Sequence, residues 1–405
     1  MTKCLGVGGS TPEQALAKLR IMNADVAPVP VAEFQARIAR AQGLMQAQGI
    51  AAIYLNAGTN LYYFTGMQWY ASERMVGAIL PAQGELQFIG PAFEENTLNE
   101  FMLVPGTFHG WQEHESPYAL FGLVLAQIGI TDGLIGLDES ASFFITDGIA
   151  KACSTYLWCN ADVITAGCRM QKSELEIALM QRAKDMTIEV HKAAASILRA
   201  GISTTEVKNF IDDAHRAVGA SGSYFCIVLF GVASSFPHGV KNPQILQEND
   251  WVLIDTGCQL HGYNSDITRS FAFGEITARQ QQAFEAERLA QLAAFNAAQL
   301  NAPCAAPDDA ARKVLAEQGF SADYALPGLP HRTGHGCGLD IHEWPYLVRG
   351  NQMPLQQGMV FSNEPMLVLP GEFGVRLEDH FYMTDAGPRW FTEPSPSLEN
   401  PFGLS

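Results

Sequence analysis

The stretch 363-NEPMLVLPGEFGVRLEDHF-381 places Glu364 and Glu378 on either side of the turn-like LPGEFG, with Gly371 at their midpoint. If the chain reverses there as a β-hairpin, the two carboxylates oppose each other across neighbouring strands. The stretch 254-IDTGCQLHGYNSDITRS-270 repeats the pattern: Asp255 and Asp266 flank Leu260 and His261, beside Gly262. A hairpin there predicts two more carboxylates face to face, with Cβ atoms about 4.5–5.5 Å apart. Bare carboxylates at that separation repel, and one takes up a proton unless a cation lies between them. One such pair reads most simply as a solvated turn flank. Two pairs on apolar, strand-like segments point to a shared cation site instead.

Between the two hairpins lies 331-HRTGHGCGLDIHEWP-345, with His331, His335 and His342 and glycines at 334, 336 and 338. Glycine there lets backbone approach closely and clears space around the imidazole of His335. His342-Glu343 is followed by Trp-Pro-Tyr, so this is not a zinc helix with two histidines one turn apart. Four carboxylates and one imidazole are too much charge to gather in a pocket without cations. The expected occupant is a pair of divalent metals. Oxygen-rich ligation with a single histidine suits Mn²⁺, then Co²⁺, and is less typical of Zn²⁺ alone.

The rest of the chain sets the frame. At 405 residues, two domains are expected. A formal net charge of −17 argues against nucleic acid or an anionic membrane as partner. No run of 18 apolar residues occurs, so no membrane span is expected. The start, MTKCLGVGGSTPEQ, lacks the pattern of a signal peptide. Eight scattered cysteines with no CxxC pair read as reduced thiols of a cytoplasmic protein.

Residues 31–49 carry helical spacing, and IAAIYL (50–55) follows as a buried strand. VGAILPA and GELQFIG read as strands joined at Ala82-Gln83-Gly84. Ser173 with Glu176, and Ser203 with Glu206, form capping boxes that open two helices. Strand-like runs recur at YFCIVLFGV and WVLIDT, a helix-rich stretch covers 277 to about 319, and strands return from 358 to 384. These elements predict an α+β chain: an α/β domain over 1–165 and a second domain over 166–405. The segment TFHGWQEHESP (107–117) holds histidines and glutamates without a matching constellation, and reads as structural.

The order Asp, Asp, His, Glu, Glu, with separations of 11, 69, 29 and 14, resembles the pita-bread metallopeptidases. The sequences DTG-x8-D-x-TR, H-x3-HG-x-GL-x2-HE and EP-x9-VR-x-ED are similar to the Xaa-Pro branch, prolidase and aminopeptidase P. The resemblance covers about 172–405 strongly and 31–160 more loosely. It implies a pita-bread catalytic domain behind a creatinase-like N-terminal domain. It also implies two divalent metals per subunit, a homodimer, and cleavage of proline-containing peptides, dipeptides first, by a hydroxide shared between the metals.

By the same resemblance Asp255 binds one metal, His335 and Glu364 the other, and Asp266 and Glu378 bridge both. Glu364 is also the general base. His238, in SSFPHGV, and His342 contact substrate and stabilise the oxyanion, against a plain reading of His238 as a loop residue. Arg376 and Arg332 are candidates for the substrate carboxylate; the competing reading has each orienting Glu378 or a loop. The family's Glu-Pro-Gly-x-Tyr reads here Glu364-Pro365-Met366-Leu367-Val368, which bears on the subsites rather than on the metals. Three alternatives stay open: an aminopeptidase P acting on Xaa-Pro-Yaa, a non-hydrolytic binding scaffold of the same fold, and a side activity on phosphotriesters.

Overall fold

The computed structural model describes residues 3–405 and divides into two compact units, 28–169 and a second made of the residues up to Ala27 together with 170–405. In the first unit a six-stranded mixed sheet has the order β4-β3-β2-β1-β5-β6. Its strands are β1 (Ile50–Asn56), β2 (Gly77–Pro81), β3 (Leu86–Pro91), β4 (Gly106–Trp111), β5 (Leu134–Leu137) and β6 (Leu157–Asn160). The apolar run at 50–55 becomes the buried central strand, as its lack of alternation predicts. β2 and β3 pair antiparallel about residue 83, with Gly84 at φ 108°. Tyr54, Ile79, Ile89, Phe121, Val124, Ile135 and Ile149 build one core.

In the second unit the helix Glu174–Ser196 opens on a complete Ser173–Glu176 capping box, and Thr204–Ala217 on a Ser203–Glu206 box. The leading segment packs here: Gly8 N–H donates to Ala195 O, Ser10 N–H to Ser196 O and Met22 N–H to Val218 O. Residues up to Ala27 therefore group with the C-terminal unit, not with the strands that follow them as a domain over 1–165 implies. An N-terminal segment carries no composition signal of which core it will cover, because its partners, Ala195, Ser196 and Val218, lie far along the chain.

Among the described residues twelve strands complete this unit: β7 (Phe225–Phe230), β8 (Trp251–Gly257), β9 (Gln259–Leu260), β10 (Tyr263–Asn264), β11 (Ile267–Ala272), β12 (Gly334–Gly336), β13 (Glu343–Leu347), β14 (Val360–Asn363), β15 (Leu367–Leu369), β16 (Phe373–Val375), β17 (Asp379–Thr384) and β18 (Gly387–Trp390). They form sheets of order β11-β8-β7 and β13-β12-β14-β17-β18, and the short pairs β9–β10 and β15–β16. The helices Ala278–Ala297 and Ala305–Glu317 lie within the stretch expected to be helical. Among the described residues no helix is long and apolar enough to cross a membrane.

Candidate metal centre

The second hairpin forms as the sequence predicts. β14 pairs with β17 and β15 with β16 in registers that share one centre, Gly371. Asn363 stands opposite Asp379 and Leu367 opposite Val375, so Glu364 and Glu378 oppose each other between the two ladders. The first hairpin differs by two residues in register. Leu260 pairs with Tyr263 and Asp255 with Thr268. The turn is the two-residue His261-Gly262, at φ 48° and 84°, and not a reversal centred on Leu260-His261. Positive φ at both loop positions is the two-residue hairpin geometry that matches strand twist, and glycine suits it. Asp255 and Asp266 are therefore diagonal neighbours on one face, not directly opposed.

Thr268 joins the hairpins. It is the cross-strand partner of Asp255, it bridges to Glu378 of the other hairpin, and its Oγ1 donates to Glu378 Oε2 at 2.7 Å. β12 brings in His335. Gly334 N-terminal to it lies against β14 so closely that a Cβ would fall 2.1 Å from Ser362 O. The segment before β12 is held from the helix Ala305–Glu317: Asp308 accepts from Thr333 N–H and Oγ1, and Arg312 donates to Leu329 O and His331 O. Ser362 Oγ accepts from His335 N–H at 3.0 Å and lies 3.1 Å from Glu364 Oε1.

Asp266, His335 and Glu378 each offer a donor atom, and these atoms lie within 4.8 Å of one another. His335 Nε2 is 3.0 Å from Glu364 Oε1 and 3.8 Å from Asp266 Oδ2. His335 Nδ1 lies 2.9 Å from Gly336 O. A carbonyl only accepts, so Nδ1 carries a proton, and Nε2 faces two carboxylates. That arrangement is repulsive unless a proton or a cation stands between. Burial first, then repulsion from Asp255 and Glu364, pushes Asp266 well above the usual carboxylate range. Glu378 is raised in the same way, by burial and then by Asp266, Glu364 and Asp255. Burial opposes ionisation of Glu364 too, but the hydrogen bond and charge of His335, with His331 and Arg376, outweigh it and hold that carboxyl low.

Two oxygens in the cluster, Asp255 Oδ1 and Glu378 Oε1, are buried with no hydrogen-bond partner among the described residues. Buried acceptors without donors, converging with a correctly oriented imidazole, are what divalent cations require of a protein. The donor set fits the metals that the sequence implies.

The centre opens on a cavity of about 430 Å³ lined by Pro237, His238, Pro330, His331, Arg332, His335, His342, Glu364 and Arg376. All four residues expected to meet substrate are on its wall. The two arginines differ. Arg376 is buried and committed: it donates to Asp255 Oδ2 at 2.5 Å, Thr268 Oγ1 at 3.0 Å and Pro237 O at 3.1 Å, so it ties Asp255 to the loop carrying His238. Arg332 instead stacks over the ring of Tyr346 at 4.0 Å. His342 packs edge-on to His335 with ring centroids 4.2 Å apart; burial and then the neighbouring His335 hold it down to about 4. Met366 and Val368 do not line the cavity. Both are buried, Val368 in β15 and Met366 just before it, and Met366 Sδ lies 3.8 Å from Arg376 Nη1. His109, in the N-terminal segment read as structural, bonds Gln87.

Sequence reasoning passed over Thr268, Ser362, His331 and His380. Period-two alternation places Ser362 with Glu364, and His380 with Glu378, on one strand face, but nothing local says that either strand borders the centre. His331 was visible within its histidine-rich segment yet received no role.

Residues 178–385 match metallopeptidase family M24, and residues 37–171 match the Creatinase/Prolidase N-terminal domain. The chain belongs to metallopeptidase family M24. It is 33% identical over 354 residues to the probable dipeptidase PepE of Mycobacterium tuberculosis, across 87% of this chain and 92% of that protein. The crystal structure of dipeptidase PepE from Mycobacterium ulcerans superposes with a TM-score of 0.85 at 30% identity, over 93% of this chain and 100% of the other. The prolidase from Thermococcus sibiricus gives 0.81 at 28%, over 89% and 97%. The protein is a metallopeptidase with close dipeptidase and prolidase relatives.

Proposed function

We propose that the chain is a dinuclear, metal-dependent dipeptidase that hydrolyses Xaa-Pro bonds. The convergence of Asp266, His335 and Glu378 within 4.8 Å, beside Asp255 and Glu364, carries this reading. Asp255 would hold one cation, His335 and Glu364 the other, and Asp266 and Glu378 both; the oxygen-rich set favours Mn²⁺ over Co²⁺ or Zn²⁺. Two such cations activate a water and neutralise charge on the attacked carbonyl.

The chain's own residues do the rest. Glu364, ionised and held by His335 and Ser362, accepts the proton of the water and returns it to the leaving nitrogen. His238 and His342 face the cavity where the carbonyl oxygen develops charge. Arg332, stacked on Tyr346, is the guanidinium placed to meet a C-terminal carboxylate, because Arg376 is already engaged with Asp255. A cavity of about 430 Å³ suits a dipeptide. Buried thiols at Cys4, Cys153, Cys258, Cys304 and Cys337 support a reducing, cytoplasmic setting. A homodimer completes the proposal and is tested by light scattering.

The decisive experiment is hydrolysis of Ala-Pro and Met-Pro with Mn²⁺, before and after chelation, alongside Ala-Ala and an Xaa-Pro-Yaa tripeptide. We expect chelator-sensitive cleavage of the proline dipeptides above both others. Cleavage confined to the tripeptide would replace the dipeptidase reading by aminopeptidase P. Absence of metal-dependent cleavage across the whole panel would remove the hydrolase reading altogether. An Arg332→Ala variant is expected to raise KM for dipeptides with a smaller change in kcat.

A further inference from the structure

His380 sits two residues after Glu378 on the same face of β17 and is fully buried. Its Nε2 lies 3.4 Å from Glu378 Oε1, and neither atom has a hydrogen-bond partner among the described residues. The other oxygen of that carboxylate, Oε2, already accepts from Thr268 Oγ1 at 2.7 Å. Across the sheet His380 pairs with Ser362, the residue that holds His335 N–H and Glu364. The ring stands edge-on to that of His335 at 6.2 Å. It thus borders Glu378 and His335, and reaches Glu364 through Ser362, without joining the Asp266–His335–Glu378 donor group.

We propose that His380 is a positioning residue of the metal centre: its neutral imidazole donates from Nε2 to Glu378 Oε1. Thr268 and His380 then grip the two oxygens of one carboxylate, each leaving that oxygen a second lone-pair direction for a cation. A carboxylate shared between two metals needs both oxygens turned the right way at once. A single donor on Oε2 leaves the group free to swing about that bond, and a second donor on Oε1 removes the freedom. Only the tautomer protonated on Nε2 serves this purpose. The inference rests on the dinuclear reading above, and its test separates the two.

The full chain is stripped of metal and reloaded with Co²⁺, and both metal content and the visible absorption bands are followed for the parent, His380→Leu, His380→Gln and His380→Asn. His380→Leu is expected to weaken loading by about 10–100-fold and to alter the Co²⁺ bands. His380→Gln, whose amide nitrogen reaches the place of Nε2, should restore most of both. His380→Asn, which mimics Nδ1, should not. The proposal is overturned if the Leu variant loads like the parent with unchanged bands, or if Asn recovers as much as Gln. Should the Leu variant fail to fold, the comparison of Gln with Asn decides alone. A parent that takes up no Co²⁺ sinks the dinuclear reading and this one together, whereas a loaded parent with an unaffected Leu variant sinks only this one.

Discussion

Thr268 is the residue at which two hairpins far apart in the chain become one site. Its hydroxyl donates to Glu378 and accepts from Arg376, while its backbone stands opposite Asp255. Replacing it by valine keeps the shape and β-propensity but leaves Glu378 Oε2 and Arg376 Nε without that partner. Thr268→Val is therefore expected to lower metal affinity and kcat/KM by about 10–100-fold. Stability should fall by about 1–3 kcal/mol, the cost of stranding buried polar groups. Metal titration and denaturant unfolding of the same variant check both figures. An undiminished metal affinity would show that Glu378 is held by its strand alone. At this scale the sequence was most informative: the five candidate ligands and His238, His342, Arg332 and Arg376 all reach one neighbourhood. The roles of the two arginines were not legible, because both sit beside histidine- or carboxylate-bearing motifs and only packing shows which guanidinium is spent.

The two hairpins are the elements that deliver the carboxylates, and their turns set which side chains meet. Gly371 centres one register and was readable from the spacing of Glu364 and Glu378. The other register was read two residues off, since His261-Gly262 closes as a two-residue turn and puts Asp255 opposite Thr268 instead of Asp266. Because side chains alternate faces, both aspartates still share a face, so the error changed their separation and not their convergence. Gly262 at φ 84° has no low-cost replacement with a β-branched residue. Gly262→Val is expected to destabilise the fold by about 1–2 kcal/mol. It should reduce metal loading more than a surface change of equal energetic cost, which comparison of thermal shift and metal content reveals. Gly334 is constrained differently, by the approach of Ser362 O, and that contact was invisible to a reading that saw only a glycine beside a histidine.

Across the whole molecule, the buried carboxylates tie stability to pH and to metal. Asp255, Asp266, Glu378 and Glu287 are all raised, with burial the leading cause in each, while Glu364 alone among them is lowered. A raised carboxyl holds its proton in the folded chain after the unfolded chain has released it. Its contribution to stability is thus full below the unfolded pKa of about 4 and is lost as pH rises through the folded value. Glu364 acts in the opposite sense but is outnumbered. The buried histidines His191, His215, His331, His342 and His380, held low by burial, give the opposite slope below about pH 6.5, so in chelator the melting temperature is expected to fall as pH rises from 7 to 8. With Mn²⁺ at a hundred times its dissociation constant, each occupied site adds about 2.7 kcal/mol, and the slope should flatten or reverse. Melting curves at four pH values, with and without Mn²⁺, test this. A chelated protein more stable at pH 8 than at pH 7 would contradict the assigned burial of the carboxyls.

The sequence by itself determined the chemistry and its delivery: which carboxylates and imidazole are brought together, that hairpins carry the carboxylates, and that glycines clear the space. Those features are local, written in residue type and in period-two spacing about a turn. Tertiary structure decided what no spacing encodes. It sent the described residues up to Ala27 to the C-terminal unit, spent Arg376 on Asp255 while leaving Arg332 stacked at the cavity, and set Thr268, Ser362 and His380 behind the ligands. Most of those outcomes depend on contacts between segments tens to hundreds of residues apart. Burial then turns those contacts into large energetic differences, because a polar group out of water must find its partner wherever the fold has put one.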